Sequence, residues 1–245
     1  MSASESQSTA RCASRTAGAV KIRAFSRSHF KASWLLIGGA WVAACSSPNP
    51  NVRARRLPSG GIAVKGPLAG PFETEQELAQ NACSIMTHQP GASAGMYGTE
   101  YCALGYYSGE GKGYFLSYLS ELRSRLDSGR KSCLIPSALD DEAHGDAVVF
   151  WAPHTHPHNR EFSRVDLKTH LRWLPTRVAE KGTGRTFPKS ILLLYREKTG
   201  ECRVYRYELP SKGVFALRDG AWVPIGRVYD DEGNVEMLDG MGWLP

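Results

Sequence analysis

No two cysteines in this chain are spaced C-x-x-C, which argues against a Cys-rich zinc knuckle. No internal repeat is visible and nothing marks a second domain, so one core is expected. Long apolar runs are scarce. The one that stands out, Trp34–Ala44, is short for crossing a bilayer. Excess charge is also missing once its position is read. The formal charge is +6, but Arg11, Arg15, Lys21, Arg23, Arg27 and Lys31 lie before Cys45 with Glu5 as their only acid. The remaining chain carries 24 basic and 23 acidic residues, a net of +1. The basic composition therefore reports a leader and gives no support for nucleic-acid binding.

That leader has a plan. Residues 1–33 are rich in Ser, Ala and Arg and read as disordered. The apolar run then ends in small residues, as the h-region of a secretory signal does. Val42-Ala43-Ala44-Cys45 resembles the lipobox of bacterial lipoproteins, which implies cleavage before Cys45 and lipidation of its sulfur. Ser46 and Ser47, with no Asp after the cysteine, imply the outer membrane of a bacterial cell envelope. An uncleaved membrane anchor is the alternative. The long charged start suggests that translation begins nearer Val20. Residues 46–72 are rich in Pro, Gly, Ser and Asn, so 45–70 is expected to be a flexible tether. Arg53-Ala54-Arg55-Arg56 within it is either solvated or touches anionic head groups. The domain itself is expected over 71–245.

Export changes the reading of cysteine. Cys83, Cys102, Cys133 and Cys202 allow three pairings, and nothing in the spacing chooses among them. One or two structural disulfides are expected, with four buried thiols as the alternative. Thr74-Glu75-Gln76-Glu77 has the form of a capping box, and Leu78, Ala82, Ile85 and Met86 follow at helical spacing to about His88. Thr99–Tyr107 alternates as a strand, with Glu100 on position alone an exposed carboxylate at its end, Ser108–Gly113 reads as a hairpin turn and Tyr114–Leu116 as the returning strand. Leu119, Leu122 and Leu126 fit a short helix with Arg123, Arg125, Arg130 and Lys131 solvated, and 127–145 reads as loop with His144 in a turn. The C-terminal part is β-rich, with strands over 191–195, 202–207, 214–217 and 222–225, then an irregular tail.

The stretch that organises the chain is His154-Thr155-His156-Pro157-His158, followed by Phe162-Ser163-Arg164-Val165-Asp166. The apolar run Ala147–Trp151 leads into it as a buried strand. Residues two apart in an extended segment point the same way, so His154 and His156 present both imidazoles to one point. Ser163 opens a predicted helix running to about Val178, with Leu167, Leu171 and Leu174 on its apolar face and Pro175 kinking or ending it. Asp166 lies in its first turn. Two imidazoles and one carboxylate make a three-ligand zinc site with a fourth position for water. The same Ser163-x-x-Asp166 is also a helix cap, and the two readings are compatible. His158 is a substitute ligand should Asp166 fall out of reach. His170, four residues after Asp166, is either a supporting ligand or a surface histidine.

Taken together, His154-Thr155-His156-Pro157 and Ser163-Arg164-Val165-Asp166 resemble the JAB/MPN metallopeptidase signature, with Glu100-Tyr101-Cys102-Ala103-Leu104-Gly105 similar to its upstream glutamate strand. The order of parts from Pro71 to Ile225 resembles the JAB-like bacterial domains of the DUF4329 type. One departure stands out: the spacer Pro157–Phe162 is six residues, one shorter than the family's usual length. The resemblance implies an α+β fold, a single JAB/MPN-like (cytidine-deaminase-like) domain with a mixed central sheet and flanking helices. It implies Zn²⁺ held by His154, His156 and Asp166, with a bound water attacking a peptide carbonyl. Glu100 would take that water's proton, and Ser163 would donate to the developing oxyanion. The implied partner is a peptide or protein substrate in the cell envelope, reached from a membrane through a lipid at Cys45. Two other classes remain: a non-catalytic envelope lipoprotein acting as a binding or structural module, and a toxin or effector domain. N-terminal peptide mapping is expected to place the start of the precursor near Val20 and the start of the mature chain at a lipid-modified Cys45; an unmodified Cys45 within an intact leader would refute the lipobox reading.

Overall fold

Thr74 ends an extended stretch with a hydroxyl that can accept from the next turn, and the first helix starts there. In the computed structural model, which describes residues 48–122, 132–168 and 175–244, Glu77 N donates to Thr74 Oγ1 at 3.1 Å, and Glu73 N donates to Glu77 Oε2 at 2.9 Å. These bonds satisfy donors that the helix itself leaves unpaired. The helix α1 (Glu75–Thr87) buries Leu78, Ala79, Ala82, Cys83 and Met86.

The strands follow in chain order: β1 (Ala54–Arg56), β2 (Ile62–Lys65), β3 (Ala69–Phe72), β4 (Gly105–Ser108), β5 (Gly113–Leu116), β6 (Ala138–Asp140), β7 (Val148–Thr155), β8 (Arg177–Ala179), β9 (Thr186–Pro188), β10 (Ser190–Arg196), β11 (Cys202–Glu208), β12 (Gly213–Arg218), β13 (Ala221–Val228) and β14 (Val235–Met237). A nine-stranded sheet runs β14-β13-β12-β11-β10-β7-β4-β5-β3. Its pairs are antiparallel except β7 with β10, which lie parallel near the middle. The connection from β7 to β10 carries a second helix, α2 (Arg164–Lys168). The fold is thus mixed α and β, mostly strand, around a mixed sheet, with two α-helices among the described residues.

Both faces of that sheet are covered, which is why β10 reads as an unbroken apolar run. Leu192 and Leu194 face α1 in a core with Trp151, Tyr101 and Ala103. Ile191 and Leu193 face the other way, into a core with Phe162, Leu167, Tyr205 and Tyr207. The hairpin between β12 and β13 turns on Asp219 and Gly220, both at positive φ (48° and 77°), as a two-residue turn with the twist of the strands requires.

Several expectations are corrected. The stretch expected as a flexible tether contains β1 and β2, which form a separate three-stranded sheet with β6. Ile62 and Val64 are 1% and 0% exposed and pack on Leu104. Pro, Gly and Ser dominate the local composition, but Ile62-Ala63-Val64 finds its partner 75 residues away in Ala138–Asp140, a register no local window reveals. That pairing also corrects the loop expected over 127–145. Leu119 and Ser120 are extended, bridging Val52 and Cys102, rather than helical, because each backbone finds a strand partner. Val178 lies in β8, so the helix that opens at α2 ends before it, as a break at Pro175 implies. The tail is partly ordered: Val235–Met237 pairs with β13, and Asp230 accepts from Glu232 N and Asn234 N to close the turn between them. Leu126 with its neighbouring basic residues, His170, Leu171, Leu174, and the leader with Cys45 lie outside the described residues. Among the described residues, no helix is long and apolar enough to cross a membrane.

Two disulfides join Cys83 to Cys202 and Cys102 to Cys133. The first ties α1 to β11; the second ties the segment before β4 to the one before β6. Ile62→Ala separates a folded strand from a tether. Loss of about 2–5 kcal/mol in denaturant unfolding is expected for a packed core position, whereas a tether residue would shift stability by less than about 0.5 kcal/mol.

Candidate metal centre

The pleat of β7 is held from both sides. On one side His154 pairs with Leu193 of β10, and His156 N donates to Leu194 O at 3.0 Å. On the other, Gly105 pairs with Trp151 and Cys102 with His154, one continuous antiparallel register. Thr155 points away from the histidines: Tyr101 N donates to its Oγ1 at 2.9 Å, and Thr155 N donates to Tyr101 O at 3.0 Å. With Thr155 fixed on one face, His154 and His156 share the other. Both are buried, at 4% and 6% exposure.

The two imidazoles meet at their tips, with His154 Nε2 and His156 Nε2 3.1 Å apart. Asp166 closes the triangle from α2. Its Oδ1 is 3.4 Å from His154 Nε2 and its Oδ2 is 3.4 Å from His156 Nε2. A ligand atom from each of the three residues lies within 4.8 Å of the others, the arrangement expected of a metal site. Ligand atoms held about 2.0–2.1 Å from a tetrahedral zinc lie about 3.3 Å from one another. The 3.1 Å between the imidazole nitrogens, and the 3.4 Å from each nitrogen to a different Asp166 oxygen, are near that spacing, and the donor set of two imidazoles and a carboxylate fits zinc.

Each arm is oriented from behind. His156 Nδ1 and Asn159 Oδ1 are 2.8 Å apart, so the amide oxygen accepts the Nδ1 proton and fixes the orientation of the ring. Asp166 Oδ2 accepts from Ser163 N and from Ser163 Oγ, both at 2.7 Å, and Asp166 N donates back to Ser163 Oγ at 3.2 Å. The cap and the ligand arm are thus one structure. Burial works against ionising Asp166, but the adjacent His154 and His156 outweigh it and hold its carboxyl well below the ordinary carboxylate range. His154 Nδ1 is buried with no hydrogen-bond partner.

Of the six residues singled out from sequence, the structure brings His154, His156, Asp166 and Ser163 together. Glu100 is half-buried and outside the cluster of ligand atoms. Glu100 lies two residues before Cys102, which bridges His154 across the sheet. Cys45 lies outside the described residues. His158 is exposed and takes no part in the cluster, its ring 6.5 Å from that of His156. Pro157 fixes the chain after the second histidine by packing on a turn: Gly95 N donates to Pro157 O at 3.0 Å, and a Cβ on Gly98 would come within 2.2 Å of Pro157 Cβ.

Asn159 was not singled out, although its position three residues after His156, past a proline, is a place where Asn side chains bond back to the chain. If His154, His156 and Asp166 hold a metal, Asn159→Ala is expected to weaken its binding about 10- to 100-fold in competition with a chromophoric chelator, with the unfolding midpoint of the metal-free protein unchanged; unaltered affinity would remove it from the site. Searches against family models, curated proteins and solved structures return no match to this chain.

Proposed function

We propose that this chain is a zinc-dependent peptidase or isopeptidase of the JAB/MPN type, resembling the DUF4329 domains, anchored in a bacterial envelope through Cys45. The observation that carries the reading is the convergence of three side chains: His154 Nε2 and His156 Nε2 lie 3.1 Å apart, and each lies 3.4 Å from a different oxygen of the Asp166 carboxylate. His154, His156 and Asp166 would hold the zinc ion, which would supply Lewis acidity toward a carbonyl and an activated water with a pKa of about 7. Glu100, two residues before the Cys102 that bridges His154, would accept a proton from the attacking water and return it to the leaving amine. Ser163 orients Asp166 through two hydrogen bonds to one carboxylate oxygen. Its hydroxyl has one proton, so donation to an oxyanion requires it to leave Asp166 first. The two disulfides fit a chain that matures in an oxidising compartment.

A second reading, a non-catalytic envelope module on the same scaffold, is favoured by that same bond: the Ser163 proton is already given to Asp166. The two readings separate cleanly. About one zinc per chain is expected by elemental analysis, lost in His156→Ala. Glu100→Gln is expected to keep the zinc while lowering hydrolysis of envelope-derived peptides by about 10²- to 10⁴-fold. Zinc retained with hydrolysis unchanged in Glu100→Gln would discard the proposed mechanism.

A further inference from the structure

Helix α2 is little more than one turn, closed by Leu167 N donating to Ser163 O at 3.2 Å. A helix that short has little stiffness of its own, so what packs behind it decides where its side chains point. At about 100° per residue, Arg164, Leu167 and Lys168 lie together on one side and Asp166 on the opposite side. Asp166 faces the histidines, so the other three mark the side from which the helix is held.

That side meets the turn between β13 and β14. Gly233 sits there at a φ of 79°, and a Cβ on it would come within 3.1 Å of Arg164 O, 3.2 Å of Leu167 Cβ and 3.4 Å of Arg164 Cα. Its neighbour Glu232 pairs with Lys168. Leu167, 1% exposed, enters the same core as Val228 and Val235, which flank the turn. The turn is itself braced. Asp230 accepts from Glu232 N, Asn234 N and Asn234 Nδ2, Tyr229 N donates to Asn234 O at 3.2 Å, and Val228 pairs with Val235.

We propose that the Tyr229–Asn234 turn is a stop behind α2 that sets how far Asp166 reaches toward His154 and His156, with Gly233 as the positioning residue. The proposal rests on the metal reading above and adds to the site a distant segment that supplies no ligand atom. Having no Cβ lets Gly233 close onto the backbone of Arg164. A Cβ there would have to push its neighbours back by a few tenths of an ångström. Ligand distances at a metal hold to about 0.2 Å, so a change behind the helix is felt at the ion.

The test separates this contact from backbone strain. Asn tolerates positive φ, so Gly233→Asn keeps the turn and adds the contact. Gly220→Asn is the control, because Gly220 has a φ of 77° and nothing within 4 Å of an added Cβ. The full chain is titrated with Co²⁺ and with Zn²⁺. Gly233→Asn is expected to lower the affinity for both ions about tenfold or more and to alter the visible cobalt bands, which report ligand geometry. Gly220→Asn is expected to leave affinity and bands as in the wild type. Glu232→Ala removes only the ion pair to Lys168, at a side chain 70% exposed where folding is not at stake. It is expected to lower affinity about two- to fivefold. Unchanged affinity and bands in Gly233→Asn, or an equal loss in Gly220→Asn, would overturn the stop and leave the metal reading standing. So would unchanged affinity in Glu232→Ala should Gly233→Asn fail to fold. A wild-type chain that takes up neither ion would remove the metal reading, and the stop with it.

Discussion

The site depends on one constraint, the two-residue period of a strand that cannot slip. β7 is paired on one side by β10 and on the other by the segment that leads into β4, and Thr155 is bonded to Tyr101 on the face away from the site. A shift of one residue would send both imidazoles into the core against α1 and bring Thr155 to the surface of the cluster. The burial of His154 and His156 is therefore a property of the sheet. The desolvation they accept is offset by having each other, Asp166 and Asn159 as neighbours.

The histidines also mark a seam between two apolar clusters. Leu193, which pairs with His154, belongs to the core beneath Phe162 and Leu167. Leu104, two residues beyond Cys102 on the same face, belongs to the smaller core that Ile62 and Val64 complete. Polar chemistry thus sits where two hydrophobic layers end. Phe162 packs 6.4 Å from the His154 ring and leads directly into Ser163, so the second core also sets where the Asp166 arm begins.

Much of this was legible in the residue order, and the reason is locality. The capping box at Thr74, the alternation before the Asp219-Gly220 turn, the parity of His154 and His156, and the three-residue step from Ser163 to Asp166 are all decided within a few residues. What stayed hidden depends on distant partners. Ile62–Lys65 is too short to announce itself until Ala138–Asp140 lies beside it. Leu119 and Ser120 carry leucine spacing that suits a helix, yet their backbone goes to Val52 and Cys102. The disulfide map was open for the same reason, with Cys83 and Cys202 separated by 119 positions.

The three arms of the triangle differ in stiffness of support. One imidazole comes from the buried strand β7 and the other from the residue just past its end, while the carboxylate comes from a turn of helix whose Ser163, Arg164 and Val165 face water. Cations of different radius ask for different ligand spacing, and only one arm lies where spacing is cheap to change. On the metal reading proposed above, ion selectivity would belong to the Ser163–Asp166 turn, and exchanging that single turn would be the economical route to a preference for another metal.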